Sequence, residues 1–257
     1  MKLGISYNLF DCEELLEPSI LAIRNNVDYI SVVYQTVSNF GNPASEDLEE
    51  ILESLKYDKI IDDYIKYTPK SYGGHFNELT KRNLGLELSK KKKCTHHLSL
   101  DSDEFYLSEQ FDNAKKYIEQ NNIDTSFLQM RTYYKDQIYQ LDPPEDYYVS
   151  FIHKLEKDTQ YVFNGQSPVL VDPTRRPSGV FNYKIFSRED IEMHHMSGIR
   201  DDYRKKLENS SANVNFMQHI DSLVEYYEKW QYPNAALWPG LPPKLQNIIK
   251  VDKLFDF

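Results

Sequence analysis

The order of apolar and polar positions along the chain switches between two periods. Residues 2–7, Lys-Leu-Gly-Ile-Ser-Tyr, read as a short buried strand. Asp11 stands three residues before Glu14, a spacing that predicts a capping box opening a helix. Pro18 falls inside that stretch, so the helix is expected to restart there and to end near Asn25-Asn26. Residues 28–34 are β-branched and aromatic and predict a second strand. Loop chemistry fills 35–45, a helix is predicted over 46–56, and a third strand over 58–67. A longer helix is predicted over 75–92, with Phe76, Leu79, Asn83 and Leu86 on one face. Lys90 to Lys93 stand at its end, where cations suit the negative pole of a helix. His96-His97-Leu98-Ser99-Leu100 then reads as a strand that runs straight into Asp101.

Alternating strands and helices predict an α/β fold with a mostly parallel central sheet flanked by helices. Ligands of such sheets bind beyond the carboxyl ends of the strands, where the loops at 7–11, 35–41 and 101–104 are expected. The remainder is less regular. It predicts a helix over 109–121, a strand over 125–134, a loop over 142–148 and a short strand over 168–171. A turn at Asp172–Pro177, helices over 199–208 and 214–230, and a short helix near 243–250 complete the reading. No repeat or linker separates the parts. Residues 1–107 and 108–257 are therefore expected to be two halves of one compact body, the second an irregular α+β half.

Composition narrows the class. The chain has 257 residues, 40% of them hydrophobic and 27% charged, which is globular composition with length enough for a core. Its net charge of −10 argues against nucleic acid as a partner, since that needs a basic footprint. No run approaches the ~18 apolar residues of a transmembrane segment, and the start does not read as a signal peptide. Two cysteines without metal-type spacing fit a reducing compartment. A cytoplasmic location is expected, with peripheral membrane contact left open. The 20 Tyr and 13 Phe supply flat apolar faces, in Tyr with a polar tip, that suit sugar rings.

The chemistry concentrates in Leu98-Ser99-Leu100-Asp101-Ser102-Asp103-Glu104-Phe105, where three carboxylates follow an apolar strand within four positions. Carboxylates this close repel one another unless a cation sits between them. Oxygen ligands suit Mg²⁺ or Mn²⁺, and those ions complete their shells with phosphate and water, so a diphosphate is the natural companion.

The run Lys81-Arg82-Asn83-Leu84-Gly85-Leu86, followed by Leu98-Ser99-Leu100-Asp101-Ser102-Asp103-Glu104, resembles the family 2-type, GT-A-fold glycosyltransferases with a DXD motif. The resemblance covers roughly residues 2–107. It implies a GT-A-like (Rossmann-like) sheet, a nucleotide-diphosphate sugar donor held by the first half, and a glycan or lipid-linked glycan acceptor gripped by the second. It also implies that Asp101 and Asp103 reach the metal and the donor. The family's acidic loop after strand two is replaced here by Tyr34-Gln35-Thr36-Val37-Ser38-Asn39.

The donor-contact candidates are Tyr7, Asn8 and Gln35 at strand ends, together with Lys81, Asn83, Asp101, Ser102 and Arg200. Lys81 and Arg200 could meet phosphate. Asn83 sits among apolar positions and needs partners, from the nucleotide or from a backbone loop. Metal candidates are Asp101, Asp103 and, by the resemblance, a late histidine. Adjacent side chains diverge, so one of His194 and His195 is expected to serve, and His195 is preferred. Arg175 and Arg176 stand in a Pro-flanked turn that could hold phosphate or simply face solvent. An inverting transferase needs a general base, and Asp190 and Glu192 are the catalytic candidates. Ser187-x-x-Asp190 also reads as a capping box, and Asp142 and Glu145 are further options. Tyr133, Tyr134, Tyr147 and Tyr148 are acceptor platforms or core residues. The leading expectation is a glycosyltransferase dependent on Mn²⁺ or Mg²⁺. A nucleotidyltransferase and a non-catalytic glycan-binding scaffold are the alternatives, the first disfavoured because Tyr7–Asp11 holds no glycine.

Overall fold

The computed structural model describes residues 1–71, 73–179 and 182–257. The first half runs β1 (Leu3–Leu9), α1 (Glu13–Ile23), β2 (Tyr29–Tyr34), α2 (Leu48–Tyr57), β3 (Asp63–Lys66), α3 (Gly74–Lys91), β4 (His96–Asp101) and β5 (Glu104–Phe105). Then follow α4 (Ser108–Gln120), β6 (Thr125–Tyr134), β7 (Asp136–Asp142), β8 (Tyr148–Lys154), β9 (Tyr183–Ile185) and β10 (Met193–Gly198). The chain ends with α5 (Tyr203–Asn209), α6 (Ile220–Lys229), β11 (Ala236–Trp238) and β12 (Lys244–Lys250). The fold is α/β, with a mostly parallel central sheet flanked by helices.

Strands β3, β2, β1 and β4 lie side by side, all parallel. β8 joins β4 antiparallel, and β6, β7, β12 and β11 extend the sheet antiparallel beyond it. β10 runs parallel to β6 and antiparallel to β5, which ties the second half to the end of the acidic loop.

The parallel block has two unlike faces, because side chains alternate along a strand. Leu3, Ile5, Tyr7 and Leu9 of β1 join Ile30, Val32, Leu98 and Leu100 in one apolar cluster. Leu16 and Ile20 of α1, Leu52 and Leu55 of α2, and Phe111 and Ile118 of α4 complete it. Gly4, Ser6, Asn8, His97, Ser99 and Asp101 occupy the alternate positions, toward α3. The contact there is close. A methyl on Gly85 of α3 would overlap Ser6, and one on Gly4 would overlap Ser89.

Several expected elements change for identifiable reasons. The N-cap of α1 is Cys12, in the left-handed region at φ 72°, and no side chain caps it, so there is no Asp11–Glu14 box. Pro18 sits inside α1 without dividing it, while Leu15, Leu16, Ser19, Ile20 and Ile23 stay buried. The third strand shrinks to Asp63–Lys66, since Asp58 closes α2 and the Asp62 carboxylate accepts from the Ile30 amide. On α3 the buried face is Asn77, Lys81, Arg82, Gly85, Leu86 and Ser89, and Phe76 is 54% exposed. Apolar spacing misplaces that face because the sheet surface beneath it is polar. The segment 168–171 pairs with no strand, and Leu170 points to solvent. The C-terminal short helix is instead β12, where Ile248 is buried and its neighbours alternate outward, a period of two. α5 starts only at Tyr203, because Asp202 caps it through the Lys205 amide. Two 3-10 turns, at Asn213–Asn215 and Met217–His219, precede α6.

Candidate functional site

The carboxyl ends of β1, β2 and β4 open into a cleft with a cavity of about 220 Å³. Asn8 of β1 and Asp101 of β4 are register partners at its floor. Gln35, directly after β2, and Lys81 and Arg82 of α3 form one side. His195 of β10, Arg200 and Lys206 of α5 form the other, so the cleft is shared by the two halves.

Two ion clusters hold the acidic loop. Asp101 Oδ2 accepts from Arg82 Nη2 at 3.1 Å and from Arg175. Arg82 also donates to Ser99 Oγ and to Thr174 Oγ1, each at 3.0 Å, and its side chain is 3% exposed. Burial would raise the Asp101 carboxyl, and the two guanidiniums outweigh burial and hold it below the usual carboxylate range. In the second cluster Asp103 Oδ2 accepts from Arg200 and, at 3.3 Å, from Lys206 Nζ. His195 Nε2 lies 3.6 Å from the same oxygen. Burial again opposes ionisation, and Lys206, Arg200 and His195 keep the Asp103 carboxyl well below its ordinary value. Glu104 differs. It is buried beneath the loop, and burial lifts its carboxyl above the usual range although Arg175 opposes the shift.

Buried polar atoms without partners stand on the cleft lining at Asn8, His195 and Arg200. Asn8 is 9% exposed, and both its amide oxygen and its amide nitrogen lack a partner. His195 Nδ1 is likewise buried without one. Lys81 is 6% exposed, and burial pushes its ammonium pKa down although Glu78 and Asp101 attract the charge. A desolvated ammonium beside unpaired amide atoms is arranged to receive an anionic, hydrogen-bonding ligand.

Of the sequence-based candidates, the structure gathers Asn8, Gln35, Lys81, Asp101, Ser102, Asp103, His195 and Arg200 around one cleft. It does not bring Tyr7 there. That ring is wholly buried on the apolar face, with its hydroxyl 3.2 Å from Ser19 Oγ. Asn83 is a structural tie, its amide donating to the Tyr161 carbonyl at 3.0 Å and accepting from the Tyr161 amide at 2.8 Å. Asp190 lies outside the cleft in a reciprocal Ser187 box, and Glu192 is bound to Arg131 at 2.6 Å and Arg188 at 3.2 Å. Neither lines the cleft. Arg175 and Arg176 face inward, Arg176 donating to the Phe163 and Val171 carbonyls. The Oδ2 of Asp101 is held by Arg82 and Arg175, and the Oδ2 of Asp103 by Arg200 and Lys206 with His195 Nε2 3.6 Å away. Among the described residues no three His, Cys, Asp or Glu side chains converge as a ready metal cage.

Sequence reasoning missed Lys206 and gave Arg82, Glu104 and Asp172 no role of their own, although it quoted them in the motif run, the acidic loop and the late turn. The available signal was the charge sum of the acidic loop, since three adjacent carboxylates require cations from somewhere. Among the described residues no helix is long and apolar enough to cross a membrane.

No family model matches the chain, and no curated protein sequence matches it. Solved structures of Staphylococcus aureus TarS are similar in part. TarS residues 1–349 align over 80% of this chain and 63% of that one, at 15% identity and a TM-score of 0.45. The longer TarS structure aligns over 80% and 38%, at 14% identity and a TM-score of 0.44. TarS 1–349 in complex with UDP-GlcNAc aligns over 51% and 35%, at 18% identity and a TM-score of 0.35. The chain thus spans less than two thirds of each of those chains. Likeness of this extent leaves the assignment of function to the cleft itself.

Proposed function

We propose that the cleft binds a nucleotide-diphosphate sugar with Mn²⁺ or Mg²⁺ and transfers the sugar to a hydroxyl of a glycan acceptor. The observation that carries this reading is the pairing of Asp103 Oδ2 with His195 Nε2 at 3.6 Å, in a cleft that Lys81, Arg200 and Lys206 also line. One carboxylate oxygen and one imidazole nitrogen form an incomplete donor set. Such a set suits an ion that keeps most of its shell for diphosphate and water. In this reading Asp103 and His195 would hold the ion, which would neutralise charge on a departing diphosphate. Asp101 anchors the loop to Arg82 and Arg175.

The remaining groups belong to the chain. Lys81, Arg200 and Lys206 meet phosphate oxygens as fixed cations, a preorganised field at the place where charge develops. Asn8 satisfies its free amide on the nucleoside. The acceptor oxygen bonds to the anomeric carbon as the bond from that carbon to the diphosphate oxygen breaks. The hydroxyl proton passes to a carboxylate of the second half. Among the described residues Asp172 is the only carboxylate of that half on the cleft lining, where it also neighbours Arg82 and Arg175, and the base is assigned there because Asp190 and Glu192 lie off the lining.

Calorimetry with a panel of nucleoside diphosphates, in Mn²⁺ and in EDTA, tests the reading. Tight binding in Mn²⁺ only, lost in Asp103→Asn and in His195→Ala, is expected. Binding that is indifferent to EDTA would remove the metal from the reading. No binding with any nucleotide would return the chain to the scaffold alternative.

A further inference from the structure

The acidic loop demands a cation between its carboxylates, and the structure contains one. Arg175 enters from the second half, on a 3-10 turn at Pro173–Arg175 whose N-cap is Asp172. Its Nη1 donates to Glu104 Oε2 at 2.8 Å and its Nη2 lies 2.6 Å from Glu104 Oε1, a two-pronged grip. The same Nη2 reaches Asp101 Oδ2. Glu104 Oε2 also accepts from the Asp101 backbone amide at 3.2 Å, so one carboxylate fixes both the loop's backbone and the arginine. The arginine side chain is 6% exposed and that of Glu104 3%.

We propose that Arg175 is a positioning residue, standing between Asp101 and Glu104 where a metal ion would otherwise be required. The loop can then carry three carboxylates and still spend only Asp103 on a bound ion. Asp101, Glu104 and Asp172 surround Arg82 and Arg175, three negative groups against two positive ones. Removing Arg175 leaves three against one. That imbalance either unfolds the loop or recruits a divalent cation from solution. The second half thereby sets the shape of the first half's donor loop. This last step rests on the proposed function, whereas the charge balance does not.

Arg175→Met, Glu104→Gln and the double variant, compared by thermal unfolding with no nucleotide present, test the charge balance. Arg175→Met is expected to melt several degrees below the wild type, about 5 °C for one such loss. Adding Ca²⁺ should raise its Tm and leave the wild type nearly unmoved. Glu104→Gln in the same chain should return most of the loss, even if Arg175→Met alone does not fold. A wild-type Tm for Arg175→Met, or equal Ca²⁺ shifts in both proteins, would overturn the proposal. So would a double variant as unstable as Arg175→Met. The donor-loop step is read separately as a tenfold weaker affinity of folded Arg175→Met for UDP with Mn²⁺. Unchanged affinity would overturn that step, and an absence of UDP binding in the wild type would count against the proposed function while the Tm readouts stand.

Discussion

Single charges in the cleft have opposite stability and functional roles. Lys81 is a buried ammonium facing the cleft, and its charged form is penalised by desolvation. Lys81→Met should therefore stabilise the fold, on the order of 1 kcal/mol, while weakening nucleoside diphosphate binding at least tenfold. Urea unfolding beside calorimetry reads both quantities, and a stability loss would show that the ammonium is satisfied in the fold. Asp103 is the reverse case. Asp103→Ala leaves Arg200, whose side chain is 3% exposed, without its carboxylate. A loss of about 3 kcal/mol is expected, because removing one partner of a buried pair strands the other charge. Asp103→Asn keeps an acceptor for Arg200 and should lose clearly less. Equal losses for the two variants would mean that shape, not charge, sets the stability of this corner.

At the scale of elements, the helix α3 explains why one half of the fold is legible in sequence and why its key helix was turned the wrong way. Apolar positions locate α3 within a residue or two, but the side it buries is Asn77, Lys81, Gly85 and Ser89, spaced four apart. Small and polar residues line that stripe because α3 lies close on Ser6 and Gly4 and because its first turns border the cleft. A hydrophobic pattern has no term for such a face. Gly85→Ala tests the closeness. The added methyl meets Ser6 Oγ and Cβ, and overpacking of this kind costs about 2 kcal/mol. Ser6→Gly in the same chain should return part of it. Unchanged unfolding of Gly85→Ala would place α3 farther from β1 than the structure has it. The second half is poorly legible for a different reason. Its strands are held by partners distant in sequence, as β12 is by β7 and β10 by β6. Arg175 and Asp172 take their meaning from Asp101 and Glu104, some seventy residues earlier, which no local pattern encodes.

Across the whole molecule the same polar face of the sheet sets the response to acid. His97 of β4 and His153 of β8 are register partners, each almost wholly buried, with ring centroids 5.5 Å apart. His97 Nδ1 lies 2.8 Å from Ser89 Oγ of α3, so the row spans helix and sheet. The groups facing His153 are His97, His96 and Tyr161, with Asp124, Glu156 and Asp158 lining the cavity it borders, and Lys90 lies near His97. Burial lowers the His97 pKa well below its ordinary value and brings that of His153 down to about 3. Both rings stay neutral in the folded protein while the unfolded chain protonates near pH 6.5. The unfolded state therefore binds more protons below that pH, and stability must fall as pH drops from 6.5 toward the folded values. Each ring contributes a slope of up to about 1.4 kcal/mol per pH unit in that window. Burial also brings His96 and His194 down to about 4, so His153→Gln, which cannot titrate, should remove about a quarter of the histidine part of the slope between pH 6.5 and 5 in urea unfolding. A slope equal to that of the wild type would place the proton uptake elsewhere.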